Sequence, residues 1–158
     1  MAIQRSLVGR ALHVWTADPA LDKRHPAFLE KWRAFVKAKD AATLAEVPLV
    51  SGEKPTVFEV EGLSRDSFLR IESLVGRGVT NDEAVAFGLR AISPLGAPFT
   101  HHGAPVVISP TDLKEVPGTR DKHLVADVLD KLFDPGLFAE LAEVIVEISR
   151  PDPMRGQG

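Results

Sequence analysis

Apolar positions change period several times along the chain, and each period predicts an element. From Ala11 to Thr16 they alternate, with Leu12 and Val14 on one face and His13 and Trp15 on the other, as in a short half-buried strand. Asp18-Pro19 breaks that pattern. Pro26 then opens a helix, where its missing N–H costs nothing. Phe28, Leu29, Trp32, Phe35 and Val36 form one apolar stripe, and Glu30, Arg33 and Lys37 lie opposite. A weaker helical turn, Ala41 to Glu46, runs into Pro48 and the loop Ser51-Gly-Glu-Lys-Pro55. Thr56 to Glu61 is rich in β-formers and alternates again.

Helical periods dominate the remainder of the chain. Ser64 or Asp66 caps a helix carrying Phe68, Ile71, Leu74 and Val75, and Gly76-Arg-Gly78 ends it. Thr80-Asn-Asp-Glu83 is a capping box for a helix with Val85, Phe87, Leu89 and Ile92, stopped by Ser93-Pro94. Gly88 in its middle weakens that helix or marks close packing against another. Phe99 to Ser109 predicts a hairpin turning at His101-His102-Gly103, with Pro105 placing its return strand at an edge. Thr119 caps a helix through Leu124, Val125, Val128, Leu129, Leu132 and Phe133. Asp134-Pro135 supplies the cap and first residue of another, reaching Ser149. In that last helix Glu140, Glu143 and Glu147 form one polar stripe and nearly everything else is apolar. So broad an apolar arc needs cover on more than one side, from the domain or from a partner.

The expected architecture is a single α+β domain, helix-dominated, with a small antiparallel sheet of three or four strands and a C-terminal αα-hairpin. Residues 1–50 form an N-terminal strand–helix arm, 51–150 the main domain, and 151–158 a flexible tail.

Composition narrows the chemistry. The 158 residues are 44% hydrophobic and 26% charged, close to globular averages. There is no cysteine, hence no thiolate nucleophile, cysteine-bound zinc or redox switch. The formal charge of −3 is uneven: residues 1–40 carry eight basic and four acidic groups, and the other 118 carry eleven and eighteen. A basic end can contact nucleic acid, but no exposed aromatics are interleaved and no recognition signature accompanies it. A solvated face, or charge complementarity between copies, accounts for it better. The start lacks a signal-peptide core, and the longest apolar stretches are broken by Glu143 and Glu147. The expectation is a soluble protein made in the cytoplasm, with no membrane role.

The motifs of catalysis are fragmentary. Gly76-Arg-Gly78 and Ser51-Gly-Glu-Lys lack phosphate-loop spacing. His101 and His102 are the conspicuous polar pair. Adjacent residues on a strand diverge, however, so His123 or Asp112 would have to complete a metal site from a distance. Asp121-Lys-His123 has no triad geometry, and no serine stands in a nucleophile elbow. A solvated face explains the three glutamates. No catalytic residue, metal ligand or cofactor is assigned. Trp32 belongs to an apolar stripe, whereas Trp15, on a short strand near the basic arm, is a candidate contact residue.

One arrangement extends further. Lys54-Pro-Thr-Val-Phe-Glu-Val-Glu-Gly-Leu-Ser-Arg-Asp-Ser-Phe-Leu-Arg-Ile71 is a strand, a Gly-Leu-Ser corner and a helix. It is followed by Ala84-Val-Ala-Phe-Gly-Leu-Arg-Ala-Ile92, the Gly103-Ala-Pro-Val-Val hairpin and the closing apolar helices. This order, over residues 54–149, resembles small tailed-bacteriophage morphogenesis proteins, in particular the tail assembly chaperone-like families. The resemblance implies a non-enzymatic role in the host cytoplasm or in the virion. Such a protein holds the helix-rich tape measure protein soluble while the tail tube assembles, and does so as a homo-oligomer or within an assembly. An exposed apolar helix face would be the contact surface, here expected at Phe133, Leu137, Phe138, Leu141, Val144, Ile145 and Ile148, with Trp15 as a further contact. A virion component such as a head–tail connector, terminator or decoration protein is the alternative, and a small enzyme or metal protein a weaker one.

Overall fold

A computed structural model describes residues 10–74, 80–118 and 121–150. The chain has α+β architecture and forms two compact units, each built from two stretches of sequence. The first holds the chain up to Val60 together with Ala91–Val107, and the second holds Glu61–Arg90 and the chain from Ile108 onward.

In the first unit, β1 (Arg10–Val14) neighbours β2 (Val57–Glu61), and β3 (Leu89–Ile92) completes the sheet in the order β1-β2-β3. The chain leaves this unit inside β2 and returns inside β3. Helix α1 (Phe28–Ala38) packs Phe28 and Phe35 into a core with Val14, Leu21, Val47 and Val57. Trp32 is stacked on Phe28 at 5.8 Å and 13°, so the expected stripe is real except at Leu29, which is 64% exposed. Lys39 takes a left-handed φ of 55° to end α1, and its carbonyl accepts from the Leu12 N–H on β1 at 2.9 Å. The short α2 (Ala41–Leu44) is capped by Asp40, which accepts from the Thr43 N–H. The expected boundary at residue 50 therefore falls inside this unit. The strand that the stretch up to Val50 contributes, β1, neighbours β2 at Val57–Glu61.

A hairpin forms within the predicted stretch but is shorter than expected: β4 (Thr100–His101) pairs antiparallel with β5 (Ala104–Pro105), and residues 106–109, expected in the return strand, are not strand. His102 and Gly103 turn at φ of 52° and 80°, the left-handed pair that a two-residue turn demands.

In the second unit, α3 (Arg65–Leu74) follows the Gly62-Leu-Ser64 corner, and the Ser64 hydroxyl accepts from the Ser67 N–H. Helix α4 (Thr80–Gly88) ends earlier than its apolar period suggests. Leu89–Ile92 is strand β3, so the helix expected to run through Ile92 is corrected: this stretch takes its place beside β2 in the sheet. A second correction concerns Lys122–Leu124. It forms β7, antiparallel to β6 (Leu113–Glu115), so the helix expected from Thr119 begins only at Ala126. Thr119 itself, like Gly76-Arg-Gly78 and the tail 151–158, lies outside the described residues, and so does the side chain of Thr80.

Helix α5 (Ala126–Leu132) and α6 (Pro135–Ser149) follow one another across Phe133-Asp134. Asp134 accepts from the N–H groups of Gly136 and Leu137, with Pro135 at the first helical position, as the sequence foretold. Helices α3 and α4 both pack against α6, α4 most extensively.

Candidate functional site

The first unit carries a cleft of about 210 Å³ lined by Trp15, Asp18, Pro19, Thr56, Phe58, Pro98, Phe99 and Thr100. Three segments build it. The chain turns directly after β1, where the Asp18 N–H donates to the Trp15 carbonyl at 2.9 Å. The Asp18 carboxylate then joins two of the segments, accepting from the N–H of Ala20 and from the N–H of Thr56 at the mouth of β2, each at 2.9 Å. Thr56 in turn reaches the Pro98 carbonyl through its hydroxyl at 3.5 Å. Phe58, buried in β2, meets Phe99 edge-on at 6.2 Å. The Phe99 carbonyl accepts from the Val106 N–H at 2.7 Å, which pins it to the far strand of the hairpin.

These contacts decide what the cleft can hold. Its walls are mixed: the Trp15 indole, the Phe99 ring and two prolines meet the polar groups of Asp18, Thr56 and Thr100, with Phe58 buried behind them. The Asp18 and Thr56 side chains are engaged mainly in holding the segments together. The volume lies below the ~300–1,000 Å³ typical of sites for cofactors and drug-sized molecules. One or two apolar side chains of a polypeptide are the right size and chemistry. Trp15, the one contact candidate from the first half of the sequence, is half-buried in this wall. The other lining residues were missed by sequence reasoning. The break at Asp18-Pro19 and the Thr-Val-Phe start of β2 were visible signals, but nothing local foretold that Pro98-Phe99 would close over them.

The expected surface on α6 is corrected. Leu137, Phe138, Leu141, Val144 and Ile145 are buried, between 0% and 6% exposed. Those five side chains are core, because α3 and α4 cover the broad apolar arc. Ile148 is half-buried, and only Phe133 stands out at 53% exposure, its ring edge-on to Phe138 at 5.2 Å. Of the two covers the sequence left open for this broad arc, the domain or a partner, the unit itself supplies the cover for these five residues.

Polar residues in the second unit form a buried clasp. Asp121 is 5% exposed and accepts from both the N–H (2.9 Å) and the hydroxyl (2.7 Å) of Ser64. Burial pushes its carboxyl up, but the hydroxyls of Ser67 and Ser64, the Ser64 N–H and the Arg90 guanidinium together bring it below the ordinary aspartate value. Arg90, itself buried, donates to Glu61 at 2.8 Å. The clasp ties the end of the β6–β7 turn to the start of α3, which is a structural task. His101 and His102 have ring centroids 4.1 Å apart on the hairpin turn. Among the described residues no three His, Cys, Asp or Glu side chains are grouped as metal ligands. Nor, among them, is any helix long and apolar enough to cross a membrane. Glu143 and Glu147 face solvent and Glu140 is half-buried.

No family model, curated protein or solved structure matches the chain.

Proposed function

We propose that the chain is a non-enzymatic morphogenesis protein of a tailed bacteriophage, chaperone-like, which works in the host cytoplasm by binding an apolar segment of another tail protein. The order of strand, corner, helices and hairpin in the sequence suggests the class. The observation that supports the binding role is the Trp15 cleft, a partly apolar socket of side-chain size on the first unit. Exposed apolar residues of the same unit, Leu29, Leu49, Val50, Leu95 and Val107, outnumber the two of the second, Leu69 and Phe133, among those described. This favours the first unit as the contact surface over the α6 face. The expected partner is the tape measure protein, whose long helices have apolar faces to shield.

The test is affinity capture of the tagged full chain from cells expressing the phage genome that encodes it. Tail protein should be retained by the wild type and lost at least tenfold with Trp15→Ala. Retention of no tail protein, or equal retention by both chains, refutes the reading. A connector or terminator role is the second reading, favoured by charge. The first unit carries nine basic and seven acidic groups, net +2, and the second ten and fifteen, net −5. Rings of defined stoichiometry in electron micrographs would select it.

A further inference from the structure

We propose that the turn of the β4–β5 hairpin binds one divalent transition-metal ion of the imidazole-preferring class, held by ring nitrogens of His101 and His102. Neither residue lines the Trp15 cleft, and the proposal asks nothing of the phage reading.

Adjacent side chains diverge on a strand, but the chain leaves strand geometry between these two. His102 takes a left-handed φ of 52° and Gly103 follows at 80°. The two imidazoles are thereby brought side by side, with ring centroids 4.1 Å apart and planes inclined at 65°. Two imidazoles on one tetrahedral or square-planar ion have centroids roughly 4.5–5.2 Å apart, for metal–nitrogen bonds of about 2.0–2.1 Å. Small torsional adjustments close that difference, since χ2 of histidine is broad and His102 is exposed, with His101 half-buried. The backbone beneath is fixed: His101 is paired with Ala104, and the Phe99 carbonyl accepts from the Val106 N–H at 2.7 Å.

The other three histidines are engaged elsewhere. His13 is 5% exposed and lies 6.5 Å from Trp32, ring to ring. His25 accepts from the Ala27 N–H through Nδ1 at 3.0 Å, and His123 meets Phe87 edge-on at 5.0 Å. The rings of His101 and His102 make no hydrogen bond or ion pair with any described residue, so each neutral imidazole has one nitrogen lone pair to give to a cation. Residue choice points the same way. A two-residue turn with positive φ at both positions is best served by Asn-Gly or Gly-Gly. Histidine at the first position costs conformational energy, and at an exposed position burial does not offset it.

The donor set defines the ion. Among the described residues no third His, Cys, Asp or Glu joins the pair, so the protein offers two nitrogens and no carboxylate. Such a set favours Cu²⁺, Ni²⁺ or Zn²⁺ over Mg²⁺ and Ca²⁺, which take oxygen ligands. The remaining coordination positions go to water, as in open sites.

Isothermal titration of Zn²⁺ into the full chain is the first test and should show one site per chain. His101→Ala and His102→Ala should each weaken binding at least tenfold, because either one turns a chelate into a single imidazole. His25→Ala and Trp15→Ala should leave it unchanged, and melting temperatures of the metal-free variants check that each is folded. Electron paramagnetic resonance of the Cu²⁺-loaded chain should show coupling to two imidazole nitrogens. Absence of zinc binding up to millimolar concentration overturns the proposal. Binding that either hairpin substitution leaves intact, or copper coupled to a single imidazole, overturns it equally. If zinc binds as described but no tail protein is ever captured, the functional reading fails and this one stands; capture without zinc binding does the reverse.

Discussion

Gly88 lies directly beneath the Ile145 side chain: a β-carbon at Gly88 would come within 2.5–2.7 Å of three of its carbons. The close approach is what lets α4 and α6 pack so tightly, and it settles why a glycine closes the apolar Ala84–Phe87 end of α4. Gly88→Ala should therefore destabilise the protein by about 1–3 kcal/mol through overpacking, despite alanine's better helix propensity. Adding Ile145→Val should recover part of that loss. Urea midpoints of the two variants measure it, and a Gly88→Ala protein as stable as wild type would show that the helices can separate at no cost.

The reassignment of α6 from surface to core predicts a contrast. Leu141→Ala should cost about 2–5 kcal/mol, as for other fully buried leucines. Phe133→Ser, just before the helix and half in solvent, should cost no more than about 1 kcal/mol. Equal costs would contradict the burial pattern.

The two tryptophans should behave differently. Trp32 is wedged between Phe28 and Phe35, at 5.8 and 5.6 Å, so Trp32→Ala should cost about 3 kcal/mol. Trp15 lines an open cleft, and Trp15→Ala should stay within about 1 kcal/mol of wild type. Thermal melts followed by circular dichroism distinguish them.

Asp121 sets a direction for the response to acid. Its carboxyl is held below its unfolded value, so its stabilisation is complete above the unfolded pKa of about 4 and is lost as pH falls through the lower folded value. Asp40 and Asp112 contribute in the same direction, through the hydroxyl and N–H of Thr43 and the N–H and hydroxyl of Ser109 respectively. Asp121→Asn should lower stability at pH 7 by about 1–3 kcal/mol and flatten the loss of stability below pH 5. Urea midpoints across pH 2–7 give both numbers, and an unaltered acid limb would assign the dependence elsewhere.

Elements with local signals were legible in the sequence. The stripe of α1, the Asp134-Pro135 start of α6 and the His102-Gly103 turn each announce themselves within a few residues, because caps, turns and amphipathic periods are local physics. What was not legible was decided at a distance. Leu89–Ile92 continues the helical period of the residues before it, and its sheet neighbour β2 lies some thirty residues away in sequence. Lys122–Leu124 is too short to carry a period and depends on β6 for its hydrogen bonds. The apolar arc of α6 is visible, but whether a partner or the chain itself covers it depends on where α3 and α4 lie. The cleft failed to show for the same reason. Trp15 stood out in the sequence as a candidate contact residue, while the cleft it lines is completed by Pro98 and Phe99.

The interleaving of the two units has a consequence for biosynthesis. Since the first unit needs Ala91–Val107, it cannot close when Val60 leaves the ribosome. It must wait for the intervening segment, a delay on the order of seconds at ordinary translation rates. During that interval the nascent sheet exposes an unsealed apolar face, and any product truncated before Val107 carries that face permanently. Quality control in the producing cell should therefore recognise prematurely terminated chains of this protein efficiently, however stable the finished molecule is.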